Sequence, residues 1–524
     1  MRIRNHSGGS ILLAVMVCLI LLEPMPARAQ DGHSIVEIRT TNREQIQQVA
    51  DLGIDIWQVE GGAVTAYVSP LDRQALLDAG LSFEVQEEDA GAFIRQGIAS
   101  WEPSALSYHT YATLVSDLYA LEASGIAKVY DIGDSVEGRD ILALRISDLP
   151  DVDEGEPAVL LMGCHHAREW ISVEVPFYIA QHLVDNYATD PQVRDLVDEG
   201  EIWILPMLNP DGHQYSVERF RLWRKNRRDN GDGSFGVDLN RNYETGWGGA
   251  GSGGATDSEI YRGPAPFSEP ETQALRDFFL GPTNDFKAVI TYHSYGQLIL
   301  YPWSHTYDKA PDNFMLDLIA REMEIRIEAV HGKDYRAGPS NSLYLASGTA
   351  EDWTYDVSGV PSYNIELRSA FALPGFLLPP AQIQPTADEN IPAALYLIGL
   401  TQNDDDGDGV VEIEDNCIGT HNPDQEDMDG DRAGAPCDCD DTDPAVNPGA
   451  DEHCTNGLDE DCDGLIDADD PDCLPETGWS VATNAEASFT PEARERTSHV
   501  LNALGPFLFA GLLVAGWRFA RRMP

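Results

Sequence analysis

The residues best suited to metal chemistry lie in the segment Gly163–Trp170 and at His293. His166 and Glu169 are three residues apart and follow the apolar run Ala158–Met162, so one strand-end loop can direct both side chains toward the same point. A catalytic zinc ion takes three protein ligands and keeps one position for water. A lone His-x-x-Glu pair is common by chance. With His293 as the third ligand, the pattern predicts one catalytic zinc ion.

Further charged residues would complete a hydrolytic site. Asp238 is a carboxylate that can hold a ligand imidazole in place. Glu366, inside an apolar strand, is the candidate general base, although this motif alone favours an edge-strand glutamate that faces solvent. Arg221, Arg224 and Arg241 offer guanidinium groups that can bind a carboxylate bidentately, and taken singly they are also typical of solvated loops.

These residues belong to eight motifs whose types and order resemble the zinc carboxypeptidases of the pancreatic carboxypeptidase A and B type. The resemblance extends from about Tyr108 to Leu400. The motifs are GDSVEGR from Gly133, HAREW from His166, NPDG from Asn209, RLWRK from Arg221, DLNRN from Asp238, HSY from His293, DWTY from Asp352 and ELR from Glu366. The resemblance implies an enzyme that hydrolyses the C-terminal residue of peptides or proteins.

The resemblance also implies a role for each matching residue. The roles are zinc ligands for His166, Glu169 and His293, general base for Glu366, carbonyl polarisation for Arg224, binding of the terminal carboxylate for Asn240, Arg241 and Tyr344, and lining of the substrate groove for Arg168 and Arg221. Glu351 occupies the position at the base of the specificity pocket. An acidic residue there suggests a preference for C-terminal Lys or Arg, unless Glu351 turns outward or pairs with a neighbour.

The elements that must position these residues read as two α/β units. Residues 30–105 have the order βαββαβ of a ferredoxin-like fold and loosely resemble the family's propeptide, with a bridge expected from Gln86 to Pro103. Residues 106–401 alternate strands and helices, which predicts a mixed, mostly parallel central sheet with helices on both faces. We expect latency until the chain is cut between Arg95 and Ser107.

The segment from Asn403 to Cys473 differs in composition from the rest of the chain. It holds 26 acidic residues and one Lys or Arg, and the whole chain has a formal net charge of −54, which argues against a nucleic-acid partner. Carboxylates recur with the spacing of calcium loops, namely Asp404, Asp406, Asp408 and Asp415, and again Asp459, Asp461, Asp463 and Asp470. A solvated acidic spacer is the alternative.

Two resemblances and the cysteine pattern refine this view of residues 402–475. The stretch Asp404–Asp438 resembles a thrombospondin type 3 repeat, and Cys439–Cys473 is similar to a related metal-binding motif of bacterial surfaces. Six cysteines in an exported segment suggest three disulfides, whereas Cys164 lies in an apolar run and suggests a free buried thiol.

The chain ends carry candidate export and membrane signals. Residues 1–29 have the features of a cleaved signal peptide. After a linker at 476–499, residues 500–524 combine an apolar segment with terminal arginines, which indicates a membrane anchor, or alternatively an amphipathic helix. Whether Leu474–Gly478 is a sorting signal stays open. The expected protein is an exported, surface-tethered zinc carboxypeptidase; the alternative is a calcium-dependent adhesion protein with a non-catalytic peptidase-like domain.

Overall fold

The computed structural model describes residues 32–473 except 101–106, 283, 372–374, 451, 463 and 471–472. The predicted signal peptide, linker, membrane anchor and Leu474–Gly478 lie outside these residues. Among the described helices, none has the length and apolar character needed to cross a membrane.

The first unit is a four-stranded antiparallel sheet covered by helices, and we call it the pro-domain. Its elements are β1 (Ser34–Arg39), α1 (Arg43–Asp51), β2 (Asp55–Glu60), β3 (Ala63–Val68), α2 (Pro70–Asp78), β4 (Phe83–Glu87) and α3 (Ala90–Ala99). The strand order β2-β3-β1-β4 confirms the ferredoxin-like prediction. Alternating buried residues, such as Val64 and Ala66, form its core.

The bridge expected from Gln86 to Pro103 contains regular structure over most of its described length. Strand β4 extends to Glu87, and helix α3 follows, capped by the Asp89 side chain, which accepts from the Ala92 N–H at 2.8 Å. Two glycines reduce the helix propensity of this segment. Burial of Ile94 in a hydrophobic cluster that includes Phe376 of the second α/β unit offsets this loss of helix propensity.

The second unit, which we call the catalytic domain after the zinc site predicted in its sequence, contains an eight-stranded sheet between two layers of helices. Its elements are α4 (Tyr111–Leu121), β5 (Ala127–Asp134), β6 (Asp140–Ile146), β7 (Ala158–Gly163), α5 (Ile171–Asn186), α6 (Pro191–Asp198), β8 (Glu201–Leu205), α7 (Pro210–Glu218), α8 (Pro270–Phe279), β9 (Phe286–Ser294), β10 (Leu298–Tyr301), α9 (Asn313–His331), β11 (Arg336–Pro339), α10 (Ala350–Ser358), β12 (Ser362–Leu367) and α11 (Ile383–Leu400).

The strand order is β11-β10-β12-β9-β7-β8-β6-β5. The four central strands β12, β9, β7 and β8 run parallel, and the antiparallel pairs lie toward the two edges. Every residue of β7 and β8 is buried, because hydrophobic clusters cover both faces of the sheet. The predicted mixed, mostly parallel α/β fold is confirmed.

The acidic segment after α11 has little regular secondary structure, apart from a short turn at Asp467–Asp469. Three disulfides cross-link it: Cys417–Cys437, Cys439–Cys462 and Cys454–Cys473. Cys164 is free and buried. The predicted number of disulfides and the free buried thiol are therefore confirmed.

Candidate active site

The candidate metal ligands meet at the carboxyl edge of the central sheet. His166 and Glu169 lie in the loop between β7 and α5, and His293 lies near the end of the neighbouring parallel strand β9. Gly163 ends β7 at a point where α5 packs closely. A Cβ atom on residue 163 would lie only 2.0 Å from the Ser172 carbonyl oxygen. The loop can therefore turn sharply and present both ligands toward His293.

The three side chains converge with the spacing of a metal site. His166 Nδ1 lies 2.8 Å from Glu169 Oε1 and 3.1 Å from His293 Nδ1, and His293 Nδ1 lies 3.0 Å from Glu169 Oε2. All three residues are at most 4% exposed. Ligands of tetrahedral zinc at about 2.0–2.1 Å from the metal are themselves about 3.3 Å apart. This donor set fits zinc.

Asp238 connects the ligand set to Arg224. Its Oδ1 lies 3.2 Å from His166 Nε2, and its Oδ2 accepts from Arg224 Nε at 3.0 Å and from Nη2 at 2.9 Å. Burial would raise the pKa of Asp238, but Arg224 and His166 hold it well below its usual range. An ionised Asp238 therefore fixes the His166 ring with Nδ1 toward the site, and it orients the Arg224 guanidinium.

Glu366 lies beside the metal ligands because β12 pairs with β9 so that Glu366 is opposite His293. Its side chain is half-buried. Burial raises the pKa of Glu366 to about 8, Glu169 and Glu351 add to the increase, and His293 and Arg224 oppose it. A carboxyl group beside the candidate metal ligands can both accept and donate a proton.

Two of the residues expected to bind a terminal carboxylate, Asn240 and Arg241, closely follow Asp238 in the chain. Asn240 and Arg241 form a short turn in which Arg241 Nε donates to the Gly251 carbonyl at 2.9 Å. The Asn240 side-chain oxygen accepts from the Ala350 N–H at 2.8 Å, which leaves its amide NH₂ to face a ligand. Burial raises the pKa of Tyr344, and the Arg241 and Arg224 charges act against that increase.

Glu351 does not turn outward. It is 2% exposed on α10, and its Oε1 accepts from Ser304 Oγ at 2.9 Å. Its Oε2 is buried and has no hydrogen-bond partner among the described residues. Burial, with the adjacent Asp352 adding, raises the pKa of Glu351. Glu351 is thus a buried carboxylate with one oxygen that no described residue satisfies.

The pro-domain covers Arg168. Asp55 of β2 accepts two hydrogen bonds from the Arg168 guanidinium, at 2.5 and 2.7 Å, and both side chains are at most 2% exposed. Phe376 packs over the same guanidinium, 4.2 Å from ring centroid to Cζ. Burial would raise the pKa of Asp55, but Arg168 lowers it overall. This ion pair joins the pro-domain to Arg168, a residue predicted to line the substrate groove.

Arg221 has a supporting position. Its guanidinium donates to the Arg168 carbonyl oxygen at 2.6 Å and to the Phe376 carbonyl oxygen, and it stacks on Trp170 at 3.7 Å. These contacts direct its two terminal nitrogens to backbone oxygens, while its Nε has no partner among the described residues, so Arg221 braces the chain around Arg168.

Sequence reasoning missed the pro-domain residues that contact the site. Besides Asp55, Gln47 accepts from the Leu345 N–H at 2.7 Å beside Tyr344, and Asp51 accepts from the Gly251 N–H at 3.0 Å. The amphipathic pattern of α1 predicts that this polar face exists. Nothing in the pattern tells which surface the face will meet.

The calcium candidates are only partly described. Oxygen atoms of Asp404, Asp406 and Asp408 lie within 4.8 Å of one another, and Asp415 is buried nearby. In the second group Asp459, Asp461 and Asp470 are described, whereas Asp463 lies outside the described residues.

The comparisons with known proteins decide the family. A family model described as zinc carboxypeptidase matches residues 114–393. The chain belongs to the zinc carboxypeptidase family. It is similar to carboxypeptidase A2 of Rattus norvegicus, with 33% identity over 389 residues that cover 68% of this chain and 91% of that protein. It is also similar to carboxypeptidase B of Astacus astacus, with 38% identity over 54% of this chain and 93% of that protein.

A solved structure agrees with this assignment. The carboxypeptidase A from Helicoverpa armigera superposes with a TM-score of 0.62 and 29% identity, over 70% of this chain and 96% of that one. A second family model, a metal-binding motif of the copper-binding MopE type, matches residues 438–468. This zinc carboxypeptidase therefore carries a metal-binding motif in its acidic segment, and the thrombospondin-like reading of Asp404–Asp438 stays a prediction.

Proposed function

We propose that this zinc carboxypeptidase removes C-terminal Lys or Arg residues from peptides and proteins. The observation that carries the proposal is the buried Glu351 carboxylate, of which Oε2 has no hydrogen-bond partner among the described residues. A buried carboxylate without a cation is costly, and a substrate ammonium or guanidinium group would satisfy it. Ser304 holds the other oxygen, so the carboxylate is already oriented before substrate arrives.

In the proposed mechanism, His166, Glu169 and His293 hold the zinc ion, which when bound supplies Lewis acidity and lowers the pKa of water to about 7. Glu366 accepts the proton of the attacking water and passes it to the leaving amine. Arg224, oriented by Asp238, donates to the scissile carbonyl oxygen as negative charge develops there. Asn240, Arg241 and Tyr344 bind the terminal carboxylate and fix the register of the chain.

Exchange of the pocket carboxylate tests the specificity. Glu351→Gln keeps the shape and the Ser304 contact but removes the charge. We expect kcat/KM for peptides ending in Lys or Arg to fall about ten- to a hundredfold, with cleavage after Leu or Phe nearly unchanged. Matched peptides ending in Arg, Lys, Leu and Phe measure it. A wild type that prefers Leu or Phe, or a variant with an unaltered ranking, would contradict the assignment.

We also propose that the uncut chain is latent. The support is the pair between Asp55 and Arg168, together with the Gln47 contact on Leu345, both of which occupy groove residues that a peptide would need. Cleavage between Arg95 and Ser107 would separate the pro-domain from the catalytic domain. Helix α3 occupies part of this interval, so the cut falls more readily after Ala99.

A separate observation favours calcium binding by the acidic segment. Glu412, nine positions into the loop that starts at Asp404, is 1% exposed, and its Oε2 has no partner among the described residues. Asp415 at the twelfth position is also buried. Burial and the neighbouring acidic groups raise the pKa of Glu412 to about 7. An oxygen-binding cation would relieve this repulsion, and the loop spacing suits Ca²⁺.

Export and tethering complete the proposal, on sequence grounds. Residues 1–29 would direct export and residues 500–524 would anchor the protein at the cell surface, with the enzyme outside. Cell fractionation checks both points. A full chain that stays soluble in the cytosol would contradict them, and a chain ending at 499 that still pellets with membranes would contradict the anchor alone.

A further inference from the structure

The acidic segment packs on the catalytic domain, close to the specificity pocket. Arg432, the one Lys or Arg among residues 403–473, forms an ion pair with Asp312, the residue that precedes α9. Elsewhere Glu414 pairs with Lys287 at 2.8 Å, and Ile413 is buried in the main hydrophobic cluster. The segment's single strong cation is therefore used on the domain and not among its own carboxylates.

Asp312 transmits this contact to α10. Its Oδ2 accepts from the Tyr355 hydroxyl at 2.6 Å, and its backbone N–H donates to the same hydroxyl oxygen at 3.1 Å. Tyr355 lies one helical turn after Glu351 on α10 and is 4% exposed. Its ring packs edge-on against Trp303, with centroids 4.9 Å apart.

The loop that contains Trp303 also contacts Glu351, the acidic residue proposed for the base of the pocket. Ser304 Oγ donates to Glu351, and the Ser304 N–H donates to Asp352 Oδ1 at 2.8 Å. Arg432, Asp312 and Tyr355 thus brace the helix and the loop that jointly fix the base of the pocket.

Arg432 is itself presented by a carboxylate-rich loop, residues 427–438. Its backbone N–H donates to Asp427 Oδ2 at 3.0 Å, and its φ of 78° lies in the left-handed region. Asp429 Oδ2 and Asp431 Oδ2 are buried atoms without hydrogen-bond partners among the described residues. Asp438, at the twelfth position, is 7% exposed and has an unpartnered Oδ2.

The charges in loop 427–438 repel one another. Carboxylate oxygens of Asp427, Asp429 and Asp431 lie within 4.8 Å of one another. Without a cation, carboxylates at this spacing favour a more open loop. A divalent cation would hold the loop, and with it the backbone of Arg432, in the observed shape.

We propose that Ca²⁺ bound in loop 427–438 holds Arg432 against Asp312 and so braces α10, which makes Arg432 a positioning residue for the Glu351 pocket. The inference rests on the proposed calcium binding and on the proposed role of the pocket. Bound Ca²⁺ would then restrict the motion of α10 and of the Glu351 pocket without contacting the substrate.

Hydrogen exchange of the α10 amides, residues 350–358, tests the brace in the zinc-saturated, trimmed enzyme. We expect added Ca²⁺ to slow exchange there about two- to fivefold, the size of a partly exposed ion pair. Arg432→Gln should lose this slowing and still bind Ca²⁺ by calorimetry. Arg321→Gln, which breaks an exposed pair on α9, is the matched control and should behave as the wild type.

The possible outcomes separate the hypotheses. Calcium binding with equal slowing in Arg432→Gln and in the wild type overturns the brace and leaves calcium binding intact. A wild type that binds no Ca²⁺ overturns the calcium proposal and the brace together. If only Arg432→Gln loses the calcium-induced slowing of hydrogen exchange, the brace is supported, even if the peptide assay shows no preference for Lys or Arg.

Discussion

The zinc-ligand triad and the acidic loops both concentrate carboxylates, but they are built in opposite ways. His166 and His293 are far apart in sequence and meet because β7 and β9 are parallel neighbours in a buried sheet. The carboxylates of the loop that starts at Asp404 are local, and backbone N–H groups such as that of Gly407 surround them. The triad is placed by tertiary structure, whereas the loops are placed by local hydrogen bonds and by the three disulfides, and the proposed cation would add to these.

This difference predicts where metal removal acts. Loss of zinc should abolish the chemistry and leave the sheet intact, because the hydrophobic clusters on both faces are independent of the metal. Loss of calcium should loosen the acidic segment and reduce activity only through its contacts with the catalytic domain.

The largest expected effect is at the triad. His293→Ala should lose the bound zinc and reduce kcat/KM about 10⁴-fold or more, because two remaining ligands cannot hold a catalytic zinc ion. Metal analysis of the purified enzyme and peptide assays measure both quantities. His421→Ala, an exposed histidine of the acidic segment, is the control and should keep its zinc. Unchanged zinc in His293→Ala would refute the ligand set.

A smaller effect is expected at the pro-domain contact. Asp55→Asn should make the uncut chain about ten- to a hundredfold more active, because it leaves the buried Arg168 without its anionic partner. Asp78→Asn, at an exposed aspartate of the same domain, is the matched control. Equal latency in both variants would show that the Asp55–Arg168 pair does not hold the pro-domain.

The same pair predicts a pH dependence. The pKa of Asp55 is lower in the docked state than in the separated domains. Asp55 therefore stabilises docking at pH values above the usual pKa of an aspartate, and this stabilisation is lost as the pH falls through the lowered pKa. Latency of the wild type should therefore weaken in acid, and latency of Asp55→Asn should change less. The ratio of activities before and after cleavage, measured against pH, gives the comparison.

The smallest effect is expected in the acidic segment. In zinc-saturated buffer, Ca²⁺ at a hundred times its Kd should stabilise the wild type by about 2.7 kcal/mol. Asp408→Asn should lose part of this gain, and Asp424→Asn, at an exposed aspartate outside the predicted ligand positions, should keep it. Thermal unfolding against calcium concentration measures the shift. If the two variants give identical curves of thermal stability against calcium concentration, the loop is a solvated spacer and not a calcium site.

The same contrast between local and long-range contacts explains which features could be predicted from the sequence and which could not. Motif residues such as His166 and Glu366 were predicted because their types, spacing and strand-end positions are local. The two helical glycines concealed α3. Asp55 and Ser304 act across interfaces between elements, and no local pattern indicates their partners. Contacts between distant surfaces depend on packing, which the hydrophobic periodicity of a single chain does not specify.

The central claim is that the site performs hydrolysis and does not merely bind, and Glu366→Gln tests it most directly. The exchange keeps the zinc ligands and the shape of β12 and removes the proton acceptor. We predict full zinc content, retained binding of peptides with a C-terminal Lys, and a fall in kcat of about 10²- to 10⁴-fold. Hydrolysis by Glu366→Gln at the wild-type rate, or a wild type that binds such peptides without cleaving them, would contradict the account.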